Sequence, residues 1–379
     1  MSAETIFTNA RIVLADEVVD GSVRVVDARI AAIDSGASAP AGALDLGGDY
    51  LLPGLVELHT DNLEKHFTPR PGVRWPPLSA VLNHDLQIAG AGITTVFDAI
   101  SLGDVHRDSD RIVNLGAMIE TVLTGHERGM LRADHRLHLR CEISHEACVD
   151  YYRQLADNPL VSLVSVMDHT PGQRQFVSME RFRTYYQKQH RLDDEQFLEV
   201  QRSRLAAQAT YAGPNRRAVV ALAAEKGHRL ASHDDATEEH VAEAVADGIA
   251  IAEFPTTVAA ARASHEAGLK VLMGAPNVVL GGSQSGNVSA LDLAREGVLD
   301  ILSSDYVPGA LVAGAFRLAE IGVPLPEAVA TVSRTPARAV GLDDRGAIAP
   351  GLRADLVQVR LADGVPIVRS VWREGVRIV

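Results

Sequence analysis

The chain reads as an α/β protein: a TIM (β/α)8 barrel with a small β-sandwich domain formed by both termini. Three observations predict it. Apolar, β-rich runs alternate with helical patterns through the middle of the chain, which is how a parallel sheet reads. Eight such runs occur, the number that closes a barrel. Both ends carry a different pattern, short alternating strands broken by Gly- and Asp-containing turns. The expected division is 1–50 and 345–379 for the small domain and 51–344 for the barrel.

In chain order, N-terminal strands are expected at Thr5–Phe7, Arg11–Leu14, Ser22–Val26 and Arg29–Ile33. The first barrel strand opens at Leu51 and runs through Pro53-Gly54 to His59, Thr60 and Asp61. Further barrel strands are expected at Gly92–Asp98, Leu137–Glu142, Leu160–His169, Arg229–His233, Ile249–Glu253, Lys270–Gly274 and Leu299–Asp305. Helical patterns at Glu238–Asp247 and Val258–Ala267 separate several of them, and the charged segment Phe176–Gln208 reads as a helical insertion or lid. The tail returns to strands at Ala354–Val359, Ile367–Trp372 and Val376–Val379.

A chain of 379 residues accommodates one large domain and an appendage. Its net charge of −13 argues against a general nucleic-acid or anionic-membrane binder. Cys141 and Cys148 are the only cysteines, which disfavours a disulfide framework and suits a reducing cytoplasm. No apolar run reaches membrane-spanning length and no signal pattern opens the chain. The expectation is a cytoplasmic protein; homo-oligomerisation is left open.

The predicted strands end in chemistry. His59 and Asp61 lie two apart at the end of an apolar strand, a spacing that puts both side chains on one face. Asp98, Glu142, Asp168 with His169, His233, Glu253 and Asp305 close the later strands. Carboxylates resist burial unless paired or metal-bound, so their repetition at strand ends points to one polar pocket at the barrel mouth. Singly, each has a plain alternative: Asp98 or Asp305 as a helix cap, Asp168 binding a loop amide, His233 as a satisfied core histidine.

These residues resemble the amidohydrolase superfamily of metal-dependent TIM-barrel hydrolases. The resemblance rests on Pro53-Gly54-Leu55 leading to His59 and Asp61, on His233 and the late Asp305, and on the tail from Gly346 to Val357. Longer strings, such as Glu57–Leu63, His135–Glu142, Met167–Phe176 and Ala231–Thr237, are similar to the diphosphatases of phosphonate metabolism. The resemblance implies hydrolysis of α-D-ribose 1-methylphosphonate 5-triphosphate, a phosphorylated ribose phosphonate, with release of diphosphate. It also permits a C–N or ester bond as the target.

The roles it implies are these. His59, Asp61, Glu142, His233 and Asp305 would bind one or two divalent ions, zinc first, with manganese, iron or nickel also compatible. Many members bridge two metals with a carboxylated lysine; none of Lys65, Lys188, Lys226 and Lys270 ends a predicted barrel strand, so Glu142 takes that role. Asp305 would be the general base. Asp168 and His169 would each bind metal or give a proton to the leaving group. Glu253 stands where the family usually has His, and would bind the ion, orient a ligand or contact substrate. Lys65, Arg70, Arg74, Arg140, Arg174 and Asn277 are the substrate-binding candidates, arginine being suited to phosphate by its planar fork. The loop Gly281–Asn287 could add backbone amides.

Overall fold

The structure is a computed structural model that describes residues 4–36, 40–104, 110–170, 172–174, 193–283 and 286–379. Its strands in chain order are β1 Glu4–Val13, β2 Val18–Val26, β3 Arg29–Ser35, β4 Leu44–Asp45, β5 Tyr50–Pro53, β6 Leu55–Thr60, β7 Ile93–Leu102 and β8 Asp134–Glu142. They continue as β9 Val161–Met167, β10 Arg229–His233, β11 Ile251–Glu253, β12 Lys270–Gly274, β13 Ile301–Ser303, β14 Leu356–Ala362, β15 Val365–Arg373 and β16 Val376–Arg377. Two sheets result. The order in one is β16-β15-β14-β5-β1-β2-β3, with β4 beside β1; in the other it is β13-β12-β11-β10-β9-β8-β7-β6.

The second sheet is the expected barrel. Its strands pair in parallel, as in Ser232↔Ala252 and Cys141↔Val166, and the bridge Thr60↔Asp305 brings the last strand against the first. Every residue of β6 and β7 is buried, as required of strands covered on both faces. Helices follow the strands with caps written in the sequence: the hydroxyls of Thr237 and Thr257 accept from the backbone N–H of His240 and Ala260.

The termini build the other sheet around one apolar core that includes Phe7, Ile12, Val25, Leu51, Leu356 and Trp372. The Phe7 ring meets Trp372 edge-on at 4.8 Å. The expected strands Thr5–Phe7 and Arg11–Leu14 are one continuous strand. Its register slips between Phe7 and Ala10, where Asn9 takes a left-handed φ of 55°, so a bulge produced the break in the pattern. Gly54 is the step between sheets. Leu52 pairs with Val357 in the terminal sheet, whereas Leu55 already pairs with Ile93 in the barrel. The Gly54 N–H donates to the Asp355 carbonyl at 2.7 Å, and a Cβ there would collide with Thr94 and Asp355. The Pro-Gly step and the Ala354-Asp355-Leu356 tail are therefore two sides of one contact.

The chain divides into two compact units: Met1–Asp98 with Glu120–Arg136 and Met273–Val379, and Ala99–Ile119 with Leu137–Leu272. In the second, the helix Asp194–Lys226 starts on a capping box between Asp193 and Gln196 and ends at Gly227. The expected insertion is thus helical from residue 194 onward; 176–192 lie outside the described residues. Among the described residues no helix is long and apolar enough to cross a membrane.

Candidate active site

In the first unit the end of β6 is clamped to the end of β13. The Ser303 hydroxyl donates to the His59 carbonyl at 2.5 Å, and Thr60 Oγ1 donates to the Asp305 carbonyl at 2.8 Å. The Asp61 N–H reaches that same carbonyl at 3.3 Å. Asp305 sits in the left-handed region at φ 53°, a conformation that Asp tolerates better than most residues. His59, Asp61 and Asp305 are thus brought together by backbone contacts. Beneath them Glu57 is wholly buried and accepts from the N–H groups of His59 (2.6 Å) and Ser304 (2.5 Å). Burial pushes its carboxyl up against the pull of those hydrogen bonds. Lys65 reaches over to donate to the Tyr306 carbonyl.

In the second unit the period of two puts His138, Arg140 and Glu142 of β8 on one face. Glu142 accepts from His169 Nδ1 at 2.8 Å and from the Ser144 hydroxyl at 2.6 Å. Burial alone would raise its carboxyl, but the hydrogen bond and charge of His169, with Ser144, hold it down at about 2. His233 Nδ1 lies 2.9 Å from Asp234 Oδ2, and His169 Nε2 lies 3.6 Å from that oxygen. One ligand atom from each of His169, His233 and Asp234 falls within 4.8 Å of the others. Burial also opposes the charge on Asp234, yet His233, His169 and Arg140 keep its carboxyl below the usual range. Imidazole and carboxylate donors of this kind suit a divalent transition metal, so the donor set fits the ion that the superfamily resemblance implies.

Arg140 completes this group. Its Nη2 is 3.5 Å from His233 Nε2, and its buried Nε has no hydrogen-bond partner among the described residues. Glu253 lies deeper: the Ser165 hydroxyl donates to its Oε2 at 2.7 Å and also contacts His138 Nε2. His138 Nε2 itself stands 3.8 Å from Glu253 Oε1.

Other candidates from the sequence have structural occupations. Arg174 is buried in ion pairs with Asp235 and, at 2.6 Å, Glu243. Asn277 donates to the Val288 carbonyl and accepts from Ala290 N–H, tying down its own loop. Asp168 accepts from Thr170 N–H at 3.0 Å and from Gln208 at 3.4 Å, which is its turn-forming alternative. Arg70 and Arg74 are exposed around a turn. Gln284 and Ser285 of the Gly281–Asn287 loop lie outside the described residues. Asp98, the strand-end carboxylate of β7, lies between His84 and His135.

Sequence reasoning missed Asp234, His138 and Ser165. Alternation along β8 marks His138 as sharing a face with Glu142, a signal present in the sequence. Asp234 carried none, because its direction depends on a left-handed φ of 59° just after β10.

Comparison with known proteins gives the family. The model of the amidohydrolase family matches residues 87–378, and the chain belongs to that family. It is accordingly a hydrolase of the metal-dependent TIM-barrel class. Within that class, the chain is 49% identical over 376 residues to the α-D-ribose 1-methylphosphonate 5-triphosphate diphosphatase of Escherichia coli, covering 98% of this chain and 100% of that one. Two solved structures share the fold at lower identity. N-isopropylammelide isopropylaminohydrolase from Burkholderia multivorans aligns with a TM-score of 0.65 at 17% identity, over 99% of this chain and 98% of that one. N-acetylglucosamine-6-phosphate deacetylase from Pasteurella multocida aligns at 0.61 and 15%, over 99% of each chain.

Proposed function

We propose that this protein hydrolyses α-D-ribose 1-methylphosphonate 5-triphosphate, releasing diphosphate and leaving the 5-phosphate. The observation that carries the reading is the relation to the Escherichia coli diphosphatase over 98% of this chain and the whole of that one. The buried Arg140 supports it independently. A guanidinium held beside His233 with an unpartnered Nε suits an anionic substrate and is out of place in a pocket for a neutral amide, the alternative that the family permits.

Residue roles follow the chemistry of each group. His233, Asp234 and Glu142 would hold a divalent ion in the second unit, and His59 and Asp61 would serve as ligands in the first. Zinc is the first candidate, with manganese, iron and nickel suited to the same donors. When bound, such an ion supplies a water of lowered pKa and polarises a phosphoryl oxygen. Asp305, fixed by its left-handed backbone, takes the proton from the attacking water. His169 then protonates the departing diphosphate oxygen. Arg140 binds phosphate oxygens; Lys65, Arg70 and Arg74 are the cationic candidates of the first unit. Glu253 and Asp168 orient neighbouring groups. The protein would act in the cytoplasm.

The test is diphosphate release from the ribose methylphosphonate triphosphate by metal-loaded protein, beside a chelator-treated control. Fast release that the chelator abolishes is the expected result. No release from protein shown to hold metal overturns the reading and shifts it to acylated sugars and cyclic amides.

A further inference from the structure

A second histidine–carboxylate cluster lies wholly within the first unit, and the proposed chemistry does not use it. His84, Asp85, Asp98 and His135 are all completely buried. His84 Nε2 lies 2.7 Å from Asp98 Oδ1, and His135 Nδ1 lies 2.7 Å from Asp98 Oδ2. His135 Nε2 faces Asp85 Oδ1 at 3.3 Å. Asp85 also accepts from the backbone N–H groups of Arg132 (2.8 Å) and Ala133 (3.0 Å) and from Arg132 Nη1 (3.1 Å). At the other end, Asn62 Nδ2 faces His84 Nδ1 at 3.1 Å, Gln87 Oε1 at 3.0 Å and His66 Nε2 at 3.3 Å, and His66 Nε2 itself faces Gln87 Oε1 at 3.0 Å.

These contacts fix the protons. The amide nitrogen of Asn62 can only donate, so His84 Nδ1 accepts, and the single proton of His84 sits on Nε2, toward Asp98. Both nitrogens of His135 face carboxylates, so both carry protons and the ring is an imidazolium. The charges then cancel: Asp98 and Asp85 against His135 and Arg132. Burial opposes the charge on His135, but the two carboxylates push it up to about 9. The cluster is not a metal site in this form. Two atoms that each ligate one ion at about 2.1 Å in tetrahedral geometry stand roughly 3.4 Å apart, whereas the contacts to Asp98 have hydrogen-bond lengths.

The far end of this chain of contacts touches the proposed active site. Asn62 follows Asp61 directly. Its N–H donates to Thr60 Oγ1 at 3.3 Å, and that hydroxyl donates to the Asp305 carbonyl. Asp61 is therefore bracketed by Thr60, tied to Asp305, and by Asn62, tied to His84 and Gln87.

We propose that Asp85, His135, Asp98 and His84 form a charge-neutral buried relay that grips Asn62 and so sets the position of Asp61, making them positioning residues for the hydrolysis. This rests on Asp61 being a ligand of the proposed site. The relay has a stated polarity, from Arg132 to Asn62. Buried pairs of this kind resist substitution because removing one member strands the charge of the next.

Two measurements test it. In ¹⁵N-histidine NMR of the wild-type protein at pH 8, His135 is expected to show both ring nitrogens protonated and His84 a single Nε2 proton. A neutral His135, or the opposite His84 tautomer, overturns the relay. The second compares His84→Ala, which breaks both contacts, with His84→Gln, which retains one donor and one acceptor. His84→Ala is expected to lower bound metal per folded chain and to cut kcat by about 10- to 100-fold with KM nearly unchanged, as for groups that orient metal ligands. His84→Gln should recover part of both. Unchanged metal content and kcat in folded His84→Ala, with only a lower Tm, would reduce the cluster to a structural one and overturn the proposal. If the variant does not fold, the NMR arm decides. Metal content and NMR do not depend on the substrate, so a wrong substrate would leave this test standing.

Discussion

Two clusters in this protein use the same ingredients to opposite ends. His84, Asp98, His135 and Asp85 are sealed, with every ring nitrogen facing a fixed partner. Glu142, His169, His233 and Asp234 are looser: His169 keeps about a quarter of its side chain accessible, 24%, and stands 3.6 Å from Asp234. Beside them Arg140 has an unpartnered Nε. In the sealed cluster the protein itself supplies the counter-charges at hydrogen-bond distance; in the looser one, His169 Nε2 stands beyond hydrogen-bond reach of Asp234. Composition does not separate a sealed network from an open one. Completeness does.

That contrast can be broken in order of expected effect. Glu142→Ala should be the most damaging, lowering bound metal per chain and cutting turnover by about 10²-fold or more, as loss of a metal ligand would. Full metal occupancy in this variant, measured by elemental analysis, would remove Glu142 from the ligand set. Arg140→Ala comes next, with kcat/KM down by roughly 10- to 100-fold, the scale of a lost charge-assisted contact. Arg140→Lys should recover little of it, because an ammonium cannot reproduce the planar fork. Equal kcat/KM in all three proteins would mean that Arg140 does not touch the substrate.

The smallest effect is a pH dependence of stability centred on the sealed cluster. His135 is raised from an ordinary 6.5 to about 9. A raised histidine contributes its full stabilisation below 6.5 and loses it as pH climbs through 9. Asp98 shifts the other way: burial would raise its carboxyl, but His135 and His84 bring it well below its ordinary 3.8, so its contribution holds above 3.8 and fades in stronger acid. Urea midpoints between pH 6.5 and 9.5 should therefore fall on the alkaline side, and Asp98→Asn should flatten that slope. A wild-type midpoint level across the range would contradict the charged state of His135.

Much of the architecture was legible before any coordinates. All eight barrel strands coincide with the apolar runs that predicted them, β7 continuing past its run to Leu102 and β8 beginning before its run at Asp134, because strands buried on both faces must be apolar. The strand-end positions of His59, Asp61, Glu142, His233 and Asp305 were visible for the complementary reason that charge recurring at the end of one apolar run after another stands out from the pattern. Arg174 was misjudged as a substrate group because its partners Asp235 and Glu243 lie far along the chain. Asn277 was misjudged likewise, since its hydrogen bonds to Val288 and Ala290 depend on how the intervening loop returns.

By itself, then, the sequence determined what is local or periodic: the alternation of strands and helices, the β-rich ends, the capping threonines and the metal-capable side chains. Tertiary structure decided the pairings. It turned Asp234 toward His233 through a left-handed residue, and it gave Asp98 to His84 and His135 instead of to a ligand or a helix end. The physical reason is that a hydrogen bond acts over about 3 Å in space and is blind to separation along the chain, so which donors stay unsatisfied is known only once the backbone has brought its distant segments together.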